Sequence, residues 1–511
     1  MNLLYPDNVS EDEGSFVKDE NTINALKMLN IKSLLAAEEA DVMRYLTADG
    51  AVIEYRQKLF RDIDRNPAVY DVLKSLSKQM GDINDVMRKR SIFGHVSEDV
   101  LYSFSAVSMY TDMIKFAAES TAEIINSLES EGLRELFSGM AEMAKSDKFR
   151  EVTVLVAKIN DSIHHAHSLT LGLNLNAKFE AYEAGIVSIN SEPFTSSDIF
   201  SKIFGKIGKK DGGESMECFM PLVENAVGES SGFAQAVYRA LNGYILRSAV
   251  KARTTLMGYI QTTVSPIYLI GEELEFVMTC CDFIRELREK KCVCCMPEVS
   301  DGAFVIRKMA NPHLLKKMPY HAVTKNDADF APDVSISVIT GPNSGGKSVY
   351  LRSVGVAYVM YQLGMFVPAE YAKLPTVSAI YCHFAIEDTI SESRFVDECR
   401  RMREILNIIG DTSLLLMDES FSGTNSTEGA AIAVEVLKSV QASKTRCFFS
   451  THLHEVALQA GRFNEKSPRV NTLSAEYTDG KRTYKIIEQE PEGMSFAYEI
   501  AKEYGLEYNG K

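Results

Sequence analysis

Tryptophan is absent from this 511-residue chain. No run of about 20 apolar residues occurs either, so no membrane-spanning helix is expected. The first absence leaves any stacking on a nucleic-acid base to Phe, Tyr or His. The N-terminal Met1-Asn2-Leu3-Leu4-Tyr5-Pro6-Asp7-Asn8 lacks a basic patch followed by an apolar core. A secretory signal is therefore not read there, and a cytoplasmic protein is expected. Positive charge is also in deficit. The 55 Lys and Arg are outnumbered by 70 Asp and Glu, giving a net charge of −15 that opposes indiscriminate nucleic-acid binding. A local basic surface would still serve, because phosphate contact is local. No internal repeat or low-complexity tract is present.

The length suggests about two to four domains, and a hydrophobic fraction of 45% is ample for their cores. Nine cysteines in such a chain are expected to be reduced. Cys280-Cys281 and Cys292-Val293-Cys294-Cys295 cluster near the middle. Cys292 and Cys295 have C-x-x-C spacing, but the other pair is adjacent and forms no second zinc knuckle. Buried small residues explain them better than zinc does. His164, His165 and His167 likewise read as a polar helix end rather than a metal site.

Gly341-Pro342-Asn343-Ser344-Gly345-Gly346-Lys347-Ser348 fits G-x-x-x-x-G-K-[ST], the phosphate-binding loop. Before it, the β-branched alternation of Val334 to Thr340 reads as a strand; after it, Val349 to Leu363 reads as a helix. Glycines let the main chain close around phosphate with its N–H groups pointing inward. The helix N-terminus, at Val349, favours the anion further. Lys347 would reach the β- and γ-phosphates and Ser348 would bind Mg²⁺, so ATP with Mg²⁺ is the expected ligand.

Leu414-Leu415-Leu416-Met417-Asp418-Glu419 reads as a buried parallel strand ending in two carboxylates. Asp418 is expected to hold Mg²⁺, and Glu419 to act as general base on the attacking water. Phe448-Phe449-Ser450-Thr451-His452 reads as another strand ending in polar residues. His452 would meet the γ-phosphate or the water, because ligands of open α/β sheets bind beyond the carboxyl ends of strands.

Together these residues resemble the ATPase domain of the MutS family, within the ABC-type ATPases. The loop is similar to the family's G-P-N-x-G-G-K-S, and Gly364 to Glu370 to its G-x-x-V-P-A segment. Asp418-Glu419 with Gly423-Thr424 resembles D-E-x-x-x-G-T, and Thr451-His452 matches the switch histidine. Glu387-Asp388 and Ser393-Arg394-Phe395-Val396-Asp397-Glu398 resemble the signature region S-T-F-x-x-E. By that resemblance Ser393 acts in trans, touching the γ-phosphate held by a second protomer, which implies a homodimer with composite sites. Arg394 stands where the family has Thr, and Ser420-Phe421-Ser422 departs from the Gly and Arg of mismatch-repair members, so a divergent branch is implied. Asn311-Pro312-His313-Leu314-Leu315 loosely resembles the segment before the nucleotide strand, with Asn326-Asp327 preceding that strand at a plausible distance. The ATPase domain is accordingly placed at 296–511.

Residues 21–295 are expected to form a mainly α-helical core and lever region after a short segment 1–20. Ile23, Leu26 and Leu29, then Ile31, Leu34 and Leu35, recur at helical spacing. Thr47 or Asp49 is a candidate N-cap for the next helix. That helix contains Arg56-Gln57, which with Asp62 resembles the R-Q-x-x-x-x-D start of the family's lever region. Ser168 to Leu175 and Phe179 to Ile189 carry strand patterns, within a clamp-like insertion at about 150–235. Lys202, Lys206, Lys209 and Lys210 in a loop-like stretch, and Arg247, Lys251 and Arg253, are candidate basic patches or solvated faces. Because the lever-like region begins near residue 21, no mismatch-wedge domain is expected. Asp479-Gly480 reads as a hairpin turn, and Glu492 to Ala501 resembles the family's last ATPase helix. The overall expectation is a multidomain protein, helical with a small β-containing part and then an α/β P-loop domain. It would couple ATP binding and hydrolysis to a clamp on DNA in mismatch repair or recombination. An ATP-driven interaction protein that does not bind DNA is the alternative.

Overall fold

A computed structural model of the chain describes residues 2–6, 9, 16–92, 96–164, 168–177, 181–190, 255–256, 258–260, 265–342, 345–385, 394–459, 463–464, 467–478 and 481–490. The first helices are α1 (Glu20–Met28), α2 (Lys32–Leu35), α3 (Glu39–Tyr45), α4 (Gly50–Arg65), α5 (Pro67–Ile92), α6 (Val96–Thr121), α7 (Glu131–Lys145) and α8 (Asp147–His164). A hairpin β1 (Ser168–Leu175) and β2 (Ala181–Asn190) follows, then α9 (Ser265–Glu289), β3 (Glu298–Ser300), β4 (Phe304–Met309), α10 (Pro312–Leu315), β5 (Asn326–Phe330) and β6 (Val334–Thr340). The remainder is α11 (Lys347–Gln362), β7 (Tyr371–Pro375), β8 (Ala379–Phe384), α12 (Arg394–Leu406), β9 (Ser413–Asp418), α13 (Ser426–Ala442), β10 (Arg446–Ser450), α14 (His454–Leu458), β11 (Arg469–Thr478) and β12 (Lys481–Glu488). Helices and mixed sheets thus alternate much as expected. Two compact units result: one of residues 1–74, 124–136 and 272–511, the other of 75–123 and 137–271.

The larger unit is built on a six-stranded sheet in the order β12-β11-β6-β10-β9-β8. Its neighbours run parallel except the β11–β12 hairpin. Every residue of β6, β8 and β9 is buried, the mark of a parallel sheet covered on both faces. Alternation of side chains along β10 shows how. Phe449 joins Ile336, Val338, Leu415 and Met417 under Ala433 and Leu437 of α13. Phe448 points the other way, 4.7 Å from the Phe330 ring and 5.6 Å from that of Phe304. Those two come from the second sheet, ordered β3-β7-β4-β5. Asn326-Asp327 starts β5, a strand of that second sheet, and precedes β6 in the chain as expected.

Helices α1 to α4 belong to this same unit. Asp49 caps α4, accepting from the N–H groups of Ala51 and Val52. Thr47 instead accepts from Asp49 N–H at 3.1 Å. Arg56, Gln57 and Asp62 are all buried, so their helix is not a solvent-facing charged surface. Each is matched to main chain. Arg56 donates to the carbonyls of Leu4 and Tyr45, and Gln57 to that of Pro297 at 2.7 Å. Asp62 accepts from the N–H groups of Glu129 and Ser130 at 2.9 and 2.7 Å. Hydrogen bonds of charged groups contribute about 1.5–3 kcal/mol each. Burial pushes the Arg56 guanidinium below its ordinary value. Tyr5, 4.6 Å away ring to guanidinium, opposes that shift. Gln362 closes the arrangement from α11, donating to Thr47 and Val377 carbonyls.

In the smaller unit, α6 and α8 pack together, and Val107, Tyr110, Ile114, Val152 and Val156 on them are buried. The Tyr110 ring meets that of Tyr259 edge-on at 5.7 Å. Strands β1 and β2 pair antiparallel from Ser168↔Asn190 to Leu175↔Ala181, with irregularities after Thr170 and Asn174. The expected Lys202–Gly213 loop, the group Arg247, Lys251 and Arg253, and His165 and His167 lie outside the described residues. So do Asp479-Gly480 and the segment Glu492–Ala501. Cys280 and Cys281 are buried on α9, and Cys295 pairs with Val367 through a main-chain bridge. Among the described residues, no group of three His, Cys, Asp or Glu is placed to hold a metal. Nor is any helix among them long and apolar enough to cross a membrane.

Gly364 shows how tightly the pieces fit. It ends α11 with φ +81, and Met365 N–H returns to the Met360 carbonyl at 2.9 Å. A methyl at Gly364 would stand 2.5 Å from the Arg56 Cβ. Gly364→Ala is expected to destabilise by about 2 kcal/mol or more through overpacking and left-handed strain. Gly410→Ala, where a Cβ meets nothing within 4 Å, is expected to change stability by less than about 0.5 kcal/mol. Thermal unfolding of both variants checks the contrast.

Candidate functional site

The glycine loop leaves β6 at its carboxyl end. Gly341 turns it with φ +122, and Gly346 opens α11 with φ +93. The helix starts at Lys347, two residues before the apolar pattern suggests, because Gly346 itself occupies the cap position. Close approach explains the other requirement for glycine. A Cβ on Gly341 or Gly345 would stand 2.8 or 2.9 Å from the Cβ of Ala475 on β11. Asn343 and Ser344 lie outside the described residues.

Lys347 curls back over the loop. Its Nζ donates to the carbonyls of Gly341 and Pro342 at 2.9 and 3.1 Å. Burial pushes its pKa down, while Glu419 and Asp418 pull it up. Ser348 reaches across to the end of β9, where its hydroxyl donates to Asp418 Oδ1 at 3.0 Å. Asp418 is buried, which pushes its carboxyl pKa up, opposed chiefly by the Ser348 hydrogen bond. Burial disfavours both charges, a pattern typical of functional sites. Glu419 follows with φ +50, and its N–H donates to the Ser450 carbonyl on β10 at 2.8 Å.

Gly345, Gly346, Lys347, Ser348, Val349 and Glu419 line one side of a cavity of about 380 Å³. Leu314, Met318, Val323 and Tyr484 are on its other walls. Asn311 ties the two sides together. Its side chain accepts from Leu314 N–H, and donates to the Val349 carbonyl at 3.0 Å and to Ser353 Oγ at 2.9 Å. The strand-end histidine is placed differently. Thr451 is buried with its N–H on the Ile339 carbonyl, and His452 is half-buried beyond β10 without lining the cavity. Glu387, Asp388 and Ser393 lie outside the described residues; α12 begins at the next position, Arg394.

Residues 337–508 match the family profile described as MutS domain V. Residues 48–290 match the MutS2 N-terminal domain profile. The chain belongs to the MutS family. An Endonuclease MutS2 of Staphylococcus carnosus is 35% identical over 190 residues, covering 37% of this chain and 24% of that protein. A DNA mismatch repair protein MutS of Chlorobaculum tepidum is 32% identical over 220 residues, 42% of this chain and 25% of that protein. An Endonuclease MutS2 of Staphylococcus epidermidis is 29% identical over 263 residues, 50% of this chain and 32% of that protein. The matched stretches therefore span only a quarter to a third of these relatives.

Within this MutS-family site, the motif residues Gly341, Pro342, Gly345, Gly346, Lys347, Ser348, Asp418 and Glu419 are brought together. The motifs did not reveal the apolar walls or Ala475, which approach from distant segments. Local spacing carries no sign of either. Ala475→Leu is expected to displace the glycine loop and weaken triphosphate binding at least about tenfold, with near-native circular dichroism. Titration with a fluorescent ATP analogue reads this; unchanged affinity would show that the alanine contact does not shape the loop.

Proposed function

We propose that this MutS-family chain is a Mg²⁺-dependent ATPase, and that two copies close over shared nucleotides to govern a grip on DNA. The carrying observation is the Ser348 hydroxyl on Asp418, set beside a buried lysine in a glycine loop. A hydroxyl and a carboxylate in hydrogen-bond contact form the hard oxygen pair that Mg²⁺ accepts, so the residues fit the ion. When bound, Mg²⁺ supplies the charge neutralisation that phosphoryl transfer demands.

Each side chain then has a task. Main-chain N–H groups of the loop and the start of α11 would receive the phosphates, and Lys347 would exchange its carbonyl partners for phosphate oxygens. Ser348 and Asp418 would hold the ion. Glu419 would orient the attacking water and take its proton. Leu314, Met318, Val323 and Tyr484 would pack against the base. His452 would sense the terminal phosphate as the subunits close, and Ser393 would complete the partner's site. The ABC-type arrangement of this domain and its coupling to helical levers belong to the same proposal, as do the domain limits 1–20, 21–295 and 296–511. DNA as ligand rests on the family and on the name of the mismatch-repair relative. The net charge of −15 favours the second reading, an ATP-driven interaction protein without DNA.

Glu419→Gln tests the core of this. The variant is expected to bind ATP within a few-fold of wild type and to lose turnover by about 100-fold or more. Held in the ATP state, it is expected to sediment as a dimer and to bind duplex or branched DNA with affinity falling steeply in salt. Normal hydrolysis by the variant would remove Glu419 as base. Binding of ATP and dimerisation without any salt-dependent DNA affinity would establish the second reading.

A further inference from the structure

Buried polar side chains converge on the loop that leaves Glu419. His383, on β8, is fully buried, with Nδ1 2.7 Å from Ser420 Oγ and Nε2 3.0 Å from the Glu398 carbonyl oxygen. That carbonyl can only accept, so Nε2 carries a proton and donates to it. Nδ1 is then an acceptor, and the Ser420 hydroxyl donates to it. The His383 carbonyl, 3.1 Å from the same hydroxyl, is its second acceptor. Burial lowers the histidine's pKa to about 4, which keeps this neutral tautomer at neutral pH. The imidazole also stacks on Phe421, ring centres 5.8 Å apart.

The backbone here is unusual. Glu419 and Phe421 both have positive φ, +50 and +66. For a bulky residue such as Phe that conformation is uncommon and has to be held by its surroundings. Phe421 is held by its burial, by the stacked His383, and by Glu398 Oε2, which accepts Phe421 N–H at 3.0 Å. Glu398 is itself buried. It lies on α12, the helix that begins immediately after Ser393. Arg401 of the same helix donates to the Phe384 carbonyl at the end of β8. One set of buried bonds therefore joins β8, the loop after the general base, and the helix that follows the signature segment.

We propose that His383 and Glu398 are positioning residues for hydrolysis. They hold the strained loop Glu419-Ser420-Phe421 so that the Glu419 carboxylate meets the attacking water. Because Glu398 rides on α12, a shift of that helix when a second subunit engages is passed directly to the loop. This inference rests on the ATPase reading above. It adds the buried linkage, through Ser420 and Phe421, by which the signature helix sets the base.

The test compares steady-state ATP hydrolysis and nucleotide affinity in Ser420→Ala, His383→Phe, Glu398→Leu and Glu398→Gln. His383→Phe retains the stack without ring nitrogens, and Glu398→Gln retains an oxygen to accept from Phe421 N–H. The first three variants are expected to bind ATP within about threefold of wild type and to lose tenfold or more in kcat, with KM little changed. Glu398→Gln is expected to recover most of the rate. Ser420→Ala combined with His383→Phe is expected to cost less than the sum of the two single changes, because both break the same Ser420–Nδ1 bond. Normal kcat in a folded Ser420→Ala and Glu398→Leu overturns the positioning role, as does a parallel loss of ATP binding. A wild-type chain that fails to hydrolyse ATP overturns the ATPase reading instead.

Discussion

The contact between Ser348 and Asp418 depends on where two strands end. Strands β6 and β9 lie on either side of β10 in a parallel sheet, so the loops that leave them emerge at one edge. The hydroxyl on the first turn after β6 and the carboxylate closing β9 therefore meet at 3.0 Å without either chain reaching far. The same edge carries Glu419, tied to the end of β10 by its own N–H. Open α/β sheets bind ligands at this edge for this geometric reason. Burial of Lys347 and Asp418 disfavours their charges, and the sheet's apolar core provides the rigidity that tolerates the cost.

Packing around the loop narrows what residues the positions accept. The loop glycines depend on their approach to Ala475, since a Cβ on Gly341 or Gly345 would stand only 2.8 or 2.9 Å from the Ala475 Cβ. A similar constraint joins Gly364 to Arg56 on the N-terminal helix α4. The R-Q-x-x-x-x-D segment accordingly serves as an internal brace within the larger unit. Its arginine, glutamine and aspartate spend their hydrogen bonds on main-chain groups of Leu4, Tyr45, Pro297, Glu129 and Ser130. Side chains that bind main chain fix the position of a segment whatever residues surround it.

Much of the candidate site was legible in the sequence because its chemistry is local. The glycine loop, the strand before it and the helix after it occupy consecutive residues, and the two carboxylates end an apolar run whose burial could be foreseen. The rest required distant approach. Tyr484 and Met318 reach the cavity from segments on either side of the motif, and the periodicity of their own segments gives no hint of it. Arg56, Gln57 and Asp62 were legible as a motif but not as a brace, because a helix pattern alone does not show which main-chain carbonyls and N–H groups face it. His383 is the sharpest case. One histidine in an apolar strand gives no signal until Ser420, Phe421 and Glu398 are seen around it.

The central claim is that Ser348 and Asp418 form a cation site serving the glycine loop. Titration calorimetry of ATP with Mg²⁺, and of ATP with a chelator, on the wild-type chain and on Asp418→Ala measures it most directly. The account predicts that Mg²⁺ tightens ATP binding to the wild type at least about tenfold and that the substitution erases most of this gain, each factor of ten being about 1.4 kcal/mol. Equal affinity with and without Mg²⁺, or a Mg²⁺ effect that survives loss of Asp418, would contradict it.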